Sequence, residues 1–156
     1  MADFLNLGGR TFLVFGVANR RSVAWATVLG LEAQGAKVVL SVRSTARRDS
    51  LKALVGDRPV FICDVEQEGA VERLAAEVKA AGHAPLQGIV HSIAFAPEAA
   101  LGGNFLNTEW TDVATAVQVS TFSLKSLAVA CLPLMQPGSA IVGFDFDAAI
   151  ARHAIG

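Results

Sequence analysis

The stretch from Thr11 to Ala36 limits what this chain can fold into more than any other. An apolar run, Thr11-Phe12-Leu13-Val14-Phe15, ends at Gly16. A polar turn follows through Asn19, Arg20 and Arg21 to Ser22. Val23 to Leu31 is then almost wholly apolar, and the segment stops at Gly35. β-Formers, a glycine, a polar turn and a helix-length apolar segment spell strand, loop and helix. In doubly wound folds this first turn is where a dinucleotide pyrophosphate meets a helix N-terminus. Gly16 would let the backbone approach the phosphates, and Ser22 would cap the helix. The simple G-x-G-x-x-G spacing is absent, since only Gly16 remains and Ser22 stands where a third glycine is expected. A tight turn with an ordinary N-cap serine explains the same residues.

The rest of the chain repeats the alternation. Strands are expected at Thr11–Phe15, Lys37–Val42, Val60–Cys63, Gly88–Ile93 and Ser139–Phe144. Helices are expected at Ser22–Gln34, Arg47–Leu54, from Asp64 to Gly82, and over Thr108–Val119 and Ser120–Leu132 with a break between. Asp64 and Gln67 have capping-box spacing. Val71, Leu74, Ala75 and Val78 form one helical face. Ala94 to Asn107 reads as a loop containing Gly102-Gly103. Pro133, Pro137 and Gly138 mark the following turn. Five strands alternating with helices imply an α/β fold, a Rossmann-type doubly wound parallel sheet of order 3-2-1-4-5. Residues 1–156 are expected to form a single dinucleotide-binding domain.

Composition bounds the function. The chain is 53% hydrophobic with mean hydropathy +0.46, as strands buried on both faces produce. Its net charge of −1 gives no electrostatic case for nucleic acid or a membrane surface. No apolar run is expected to reach transmembrane length, and the N-terminus lacks a signal-peptide pattern. Cys63 and Cys131 lack CxxC spacing or nearby histidine ligands, so they read as buried apolar residues, with no metal. Together these bounds favour the cytoplasm.

Three further strand ends carry candidate chemistry. Strand two ends in Ser41-Val42-Arg43-Ser44, with Arg47 and Arg48 close by and no acid. An acid there favours NAD, whereas Arg43 could stack on adenine or meet a 2′-phosphate. A solvated basic helix start is the plain alternative. Strand three ends in Cys63-Asp64-Val65, where a carboxylate can accept from an adenine amino group; capping a helix would also account for Asp64. Strand four ends in His91-Ser92-Ile93-Ala94-Phe95-Ala96, small residues that let backbone lie against a ribose and nicotinamide, or simply a buried strand end. His91 reads as a core histidine. All these ends fall at the carboxyl edge of one sheet, where open α/β folds bind ligands.

Gly16-x5-Ser22-x-Ala24, Cys63-Asp64-Val65 and His91-Ser92-Ile93-Ala94-Phe95-Ala96 together resemble the bacterial enoyl-acyl-carrier-protein reductases, divergent short-chain dehydrogenases/reductases. Ala100 to Thr108, Val119 to Ala128 and Gly138 to Gly143 extend the likeness, which runs from about residue 7 to about 147. The resemblance implies reduction of trans-2-enoyl thioesters on acyl carrier protein in fatty-acid biosynthesis, with hydride from NADH, or NADPH in some members. By position, Gly16, Ser22 and Val23 would line the phosphates. Arg43 would sit at the adenosine ribose, and Asp64 and Val65 would flank adenine. Ser92, Ile93 and Ala94 would lie along the nicotinamide ribose, and Ala96 would border the substrate. The full-length family implies a homo-oligomer, and the state of this chain stays open.

The departure from the family is chemical. A catalytic tyrosine is expected shortly after strand five, with a lysine on the next helix, and this chain has no tyrosine. Ala149 to Ile155 do not resemble the family there, and His153 is no substitute acid. No catalytic residue is therefore assigned, and the chain is expected to be an N-terminal portion, truncated after strand five and inactive alone. A non-catalytic dinucleotide-binding module is one alternative. A flavodoxin-like or receiver-like domain is another, though the ends of strands one and three supply only one acid, Asp64.

Overall fold

The computed structural model describes residues 3–101 and 105–145. Gly102, Gly103 and the stretch 146–156, with His153, lie outside them.

The first 62 residues alternate as expected: β1 (Thr11–Phe15), α1 (Val23–Ala33), β2 (Lys37–Val42), α2 (Thr45–Val55) and β3 (Val60–Ile62). Then come α3 (Ala70–Ala80), β4 (Leu86–His91), α4 (Trp110–Val117), α5 (Ser123–Cys131) and β5 (Met135–Gly143). All five strands are parallel, in the order β3-β2-β1-β4-β5. The chain winds outward through β2 and β3, then returns to the other side of β1.

Strand side chains alternate between two apolar layers. Leu13, Phe15, Val39 and Ile89 pack in one cluster with Val71, Leu74 and Val78 of α3 and Leu127 and Cys131 of α5. Val14, Val38, Leu40 and Val90 pack in the other with Ala24, Trp25 and Val28 of α1 and Leu51 and Val55 of α2. The sheet is thus covered on both faces, which explains the near-continuous apolar strands. Arg58, just before β3, ties the α2–β3 connection to α1 on one face of the sheet. Its Nε and Nη2 donate to the two Glu32 carboxylate oxygens at 2.6 and 2.8 Å, and its guanidinium lies 5.1 Å from the centre of the Trp25 ring.

Several expected boundaries move. Asp64 does not open α3. That helix starts at Ala70, after Gly69 at φ 70°, and Asp64 instead accepts from the Glu66 N–H at 3.2 Å in a turn. The apolar phase of α3 begins with Ala70 and Val71, so the residues before it have no face to bury. β4 ends at His91 rather than Ile93, leaving Ser92 and Ile93 beyond the strand. β5 begins at Met135 and contains Pro137 and Gly138. Its pairing jumps from Leu86–Met135 to Gly88–Ala140, and the bulged segment is held by Ser139 Oγ donating to the Leu86 carbonyl at 2.9 Å and Gln87 Nε2 donating to the Gly138 carbonyl at 2.8 Å. The loop after β4 contains short 3₁₀ turns at Glu98–Ala100 and Phe105–Asn107.

The break expected between Val119 and Ser120 is a π turn, Gln118–Phe122, inside one continuous helix. Trp110–Leu134 is therefore long and apolar enough, by length and composition, to cross a membrane, contrary to the expectation that no stretch reaches that length. Val119, Leu127, Cys131 and Leu134 along it are buried.

The family resemblance implies that elements past strand five cover the faces around Leu124, Leu127 and Val129. Leu127 is already fully buried against the sheet, while Val129 is 60% exposed. Leu127→Ala should therefore cost about 2–5 kcal/mol in urea unfolding, and Val129→Ala less than about 0.5 kcal/mol. Similar costs for both would contradict this packing.

Candidate functional site

The carboxyl ends of β1, β2, β3 and β4 open into one cleft of about 320 Å³. It lies beside β1, where the sheet reverses its winding, the position at which open α/β sheets accept ligands. Of the residues expected from sequence, Gly16, Arg43, Asp64, Val65, Ser92, Ile93 and Ala94 line it. Ser22, Val23 and Ala96 lie outside the lining. The Ser22 hydroxyl accepts from the Trp25 and Ala18 N–H groups, each at 3.4 Å, and donates to the Asn19 carbonyl at 2.8 Å. It caps α1 and closes the preceding turn.

Gly16 is required by the protein's own backbone. It sits at φ 92°, and a Cβ there would collide with the Ser92 carbonyl oxygen. The turn after β1 and the exit of β4 therefore pack main chain against main chain. The sequence points to the glycine, through a phosphate approach or a tight turn, but not to this contact across the sheet.

The exit of β4 is fixed from the opposite wall. Ser120, in the π turn, accepts from the Phe95 N–H and donates to the Phe95 carbonyl, both at 3.0 Å. One residue before that exit, His91 is 3% exposed, and its Nε2 lies 2.7 Å from Ser123 Oγ. The Ser123 hydroxyl donates to the Val119 carbonyl at 2.6 Å, so the ring nitrogen facing it shares that hydroxyl. Burial lowers the His91 pKa from its ordinary 6.5. Val119 lines the cleft between these contacts. Val65 and Ile93 also pack on the core, so their placement has a structural cause as well.

The cleft holds two cationic side chains, Arg43 and Arg47, and two carboxylates, Asp64 and Glu66. The Arg43 guanidinium lies 5.8 Å from the centre of the Phe95 ring. Cys63 borders the cleft, but burial pushes its thiol up to about 12, so it is no thiolate at neutral pH. Cys131 is likewise buried and reduced. Among the described residues no group of histidine, cysteine, aspartate and glutamate could hold a metal ion.

Ser41 is the residue that sequence reasoning missed. It is 2% exposed, it lines the cleft, and its hydroxyl oxygen has no hydrogen-bond partner. The signal was available: a serine in the otherwise apolar run Val38-Val39-Leu40-Ser41-Val42. A buried hydroxyl without a partner is costly in a folded protein. A ligand with polar atoms at the cleft would relieve that cost, and a ribose or adenine fits this lining.

A family model and several known proteins match this chain. The family model described as enoyl-(acyl carrier protein) reductase matches residues 16–154. The enoyl-acyl-carrier-protein reductase (NADH) FabI of Bacillus subtilis is 33% identical over 90% of this chain and 56% of its own length. The enoyl-acyl-carrier-protein reductase (NADH) of Mycolicibacterium smegmatis is 35% identical over 95% of this chain and 57% of its own length. FabI of Escherichia coli is 28% identical over 90% of this chain. The chain spans about half the length of the curated relatives it matches.

Gly16→Ala should lower stability by at least about 1–3 kcal/mol from the left-handed backbone alone, and the collision with Ser92 should push the exit of β4 away from the first turn. A thermal melt at the wild-type temperature would contradict the close approach. His91 gives a second expectation. Its folded pKa is depressed, so the unfolded chain takes up the proton first as pH falls. The stability it contributes is present above about pH 6.5 and is lost as pH drops through the folded value. Urea unfolding across that range should show this loss, and His91→Gln should reduce it.

Proposed function

The chain belongs to the enoyl-(acyl carrier protein) reductase family, and on that premise we propose that its cleft binds the nicotinamide dinucleotide used to reduce enoyl thioesters carried on acyl carrier protein. The observation that carries this reading is the convergence of four strand ends on one cleft at the reversal of the sheet. The relatives' names give NADH as the cofactor and enoyl-acyl-carrier-protein as the substrate. When bound, the cofactor supplies hydride to the β-carbon of the enoyl group.

The proposed residue roles follow the cleft. The turn at Gly16, with Ser22 and Val23 opening α1, takes the pyrophosphate. Arg43 takes the adenosine ribose. Asp64 and Val65 flank adenine, and the Asp64 carboxylate is oriented by the Glu66 N–H. Ser92, Ile93 and Ala94 support the nicotinamide ribose, with their backbone path fixed at Phe95 by Ser120. Ala96 faces the substrate side.

Binding and turnover separate in this chain. Its 156 residues include no tyrosine, and among the described residues lining the cleft the neutral donors are the Ser41 and Ser92 hydroxyls and the buried Cys63 thiol, none of them a phenol. Loss of a single such donor lowers rates by roughly 10²–10³ in other enzymes. A dinucleotide-binding module without turnover is the second reading, favoured by that absence. We expect the purified chain to bind NADH, detected by fluorescence titration. Its turnover of a crotonyl thioester should be at least about a hundredfold below that of a full-length relative. Failure to bind the cofactor would sink the proposal, and turnover near a relative's would sink the second reading.

A further inference from the structure

We propose that the free edge of β5 pairs with the β5 edge of a second copy of this chain, antiparallel about a two-fold axis at Val142. β5 closes one side of the sheet and β3 the other. The two edges are built differently. β3 is three residues long, with Asp57, Arg58 and Pro59 before it and Asp64 just after. Short length, charge and proline are the devices that keep an edge from pairing. β5 carries its proline, Pro137, and its bulge only in its first half. From Ala140 to Gly143 it runs in regular register, and no charged residue occurs from Ser126 to Phe144. None of the β5 residues lines the cleft, so the proposal stands apart from the cofactor reading.

The backbone fixes the register. Gly143 pairs with His91, and the Phe144 N–H donates to the His91 carbonyl at 3.3 Å. In a parallel ladder alternate residues bond to the same neighbour, so Ala140, Val142 and Phe144 turn their backbone groups toward β4. Ile141 and Gly143 turn theirs outward, where no strand lies among the described residues. Two outward residues spaced two apart are self-complementary. With a two-fold axis at Val142, Ile141 of each copy faces Gly143 of the other, and the two exchange both N–H···O=C bonds. Val142 then faces its own counterpart as a non-hydrogen-bonded pair, and Phe144 faces Ala140. Ile141 packs on the cluster under α3 and α5, and a Cβ on Gly143 would meet Leu124 of α5 at 3.5 Å. Val142 and Phe144 therefore point to the opposite face, where each is 47% exposed. Pairing brings these uncharged side chains together, large against small at Phe144 and Ala140. It consumes the β5 edge of both copies, and the β3 edges stay protected, so assembly closes at two.

Sedimentation velocity of the 156-residue chain over about a hundredfold range of concentration should show a monomer–dimer equilibrium and nothing larger. Val142→Lys sets like charges opposite each other at the axis and should weaken the dimer at least about tenfold. Leu132→Lys, at an exposed position after α5, should leave it unchanged. Single cysteines test the register. A non-hydrogen-bonded antiparallel pair holds its Cα atoms about 4.5 Å apart, within disulfide reach. Val142→Cys should therefore give a covalent dimer on copper–phenanthroline oxidation, whereas Ala140→Cys, which faces Phe144, should not. The native Cys63 and Cys131 are buried and do not compete. If Val142→Lys unfolds the chain, the two cysteine variants still decide. A monomer at every concentration, growth beyond two copies, a dimer lost with Leu132→Lys but kept with Val142→Lys, or equal cross-linking at 140 and 142 would overturn the proposal.

Discussion

The close approach of Gly16 to the Ser92 carbonyl is the constraint on which the site depends. β1 is central, with β2 on one side and β4 on the other, so the chain leaves β1 and β4 on opposite crossovers. The two exits part there and leave a crevice. How deep that crevice runs depends on how near the two backbones come. A side chain at residue 16 would hold them apart and move the exit of β4 away from the first turn. The fold supplies the crevice by its winding order, and one missing Cβ sets its floor.

Around that floor each wall is built differently. On the β3 side the backbone turns through Asp64 before α3 begins, so a carboxylate is left in the cleft rather than on a helix end. On the α5 side the helix inserts a π turn. The extra residue in that turn changes which side chains face the sheet: Val119 and Ser123 are buried, and Ser120 reaches Phe95. Such insertions commonly mark functional regions. Here the consequence is concrete, because His91, Ser123, Val119 and Ser120 link the buried end of β4 to the segment just beyond it.

Much of this was legible from the residues. Alternating apolar strands and helices implied a parallel sheet of this order, but not the extent of every strand. β1 and β2 have the bounds expected of them. The failures have a common cause. Asp64–Gln67 and Pro137–Gly138 are local signals for a helix start and a turn, but tertiary partners decide both places. α3 waits for its apolar phase, and β5 is held through its bulge by bonds to Gln87 and Leu86. The cleft residues at the strand ends could be listed from spacing. That Ser41 has no partner, or that Gly16 meets Ser92, could not, since both depend on what lies across the sheet.

The Ser120 hydroxyl satisfies both the N–H and the carbonyl of Phe95, doing for one residue what a neighbouring strand does for many. The backbone of Phe95, just beyond β4, is thereby held by the protein's own groups. A loop that had to be fixed on binding would lose conformational entropy at that moment, about 1–2 kcal/mol for each residue held. For Phe95 that cost falls on folding, so a ligand bound beside it would not bear that share of the ordering.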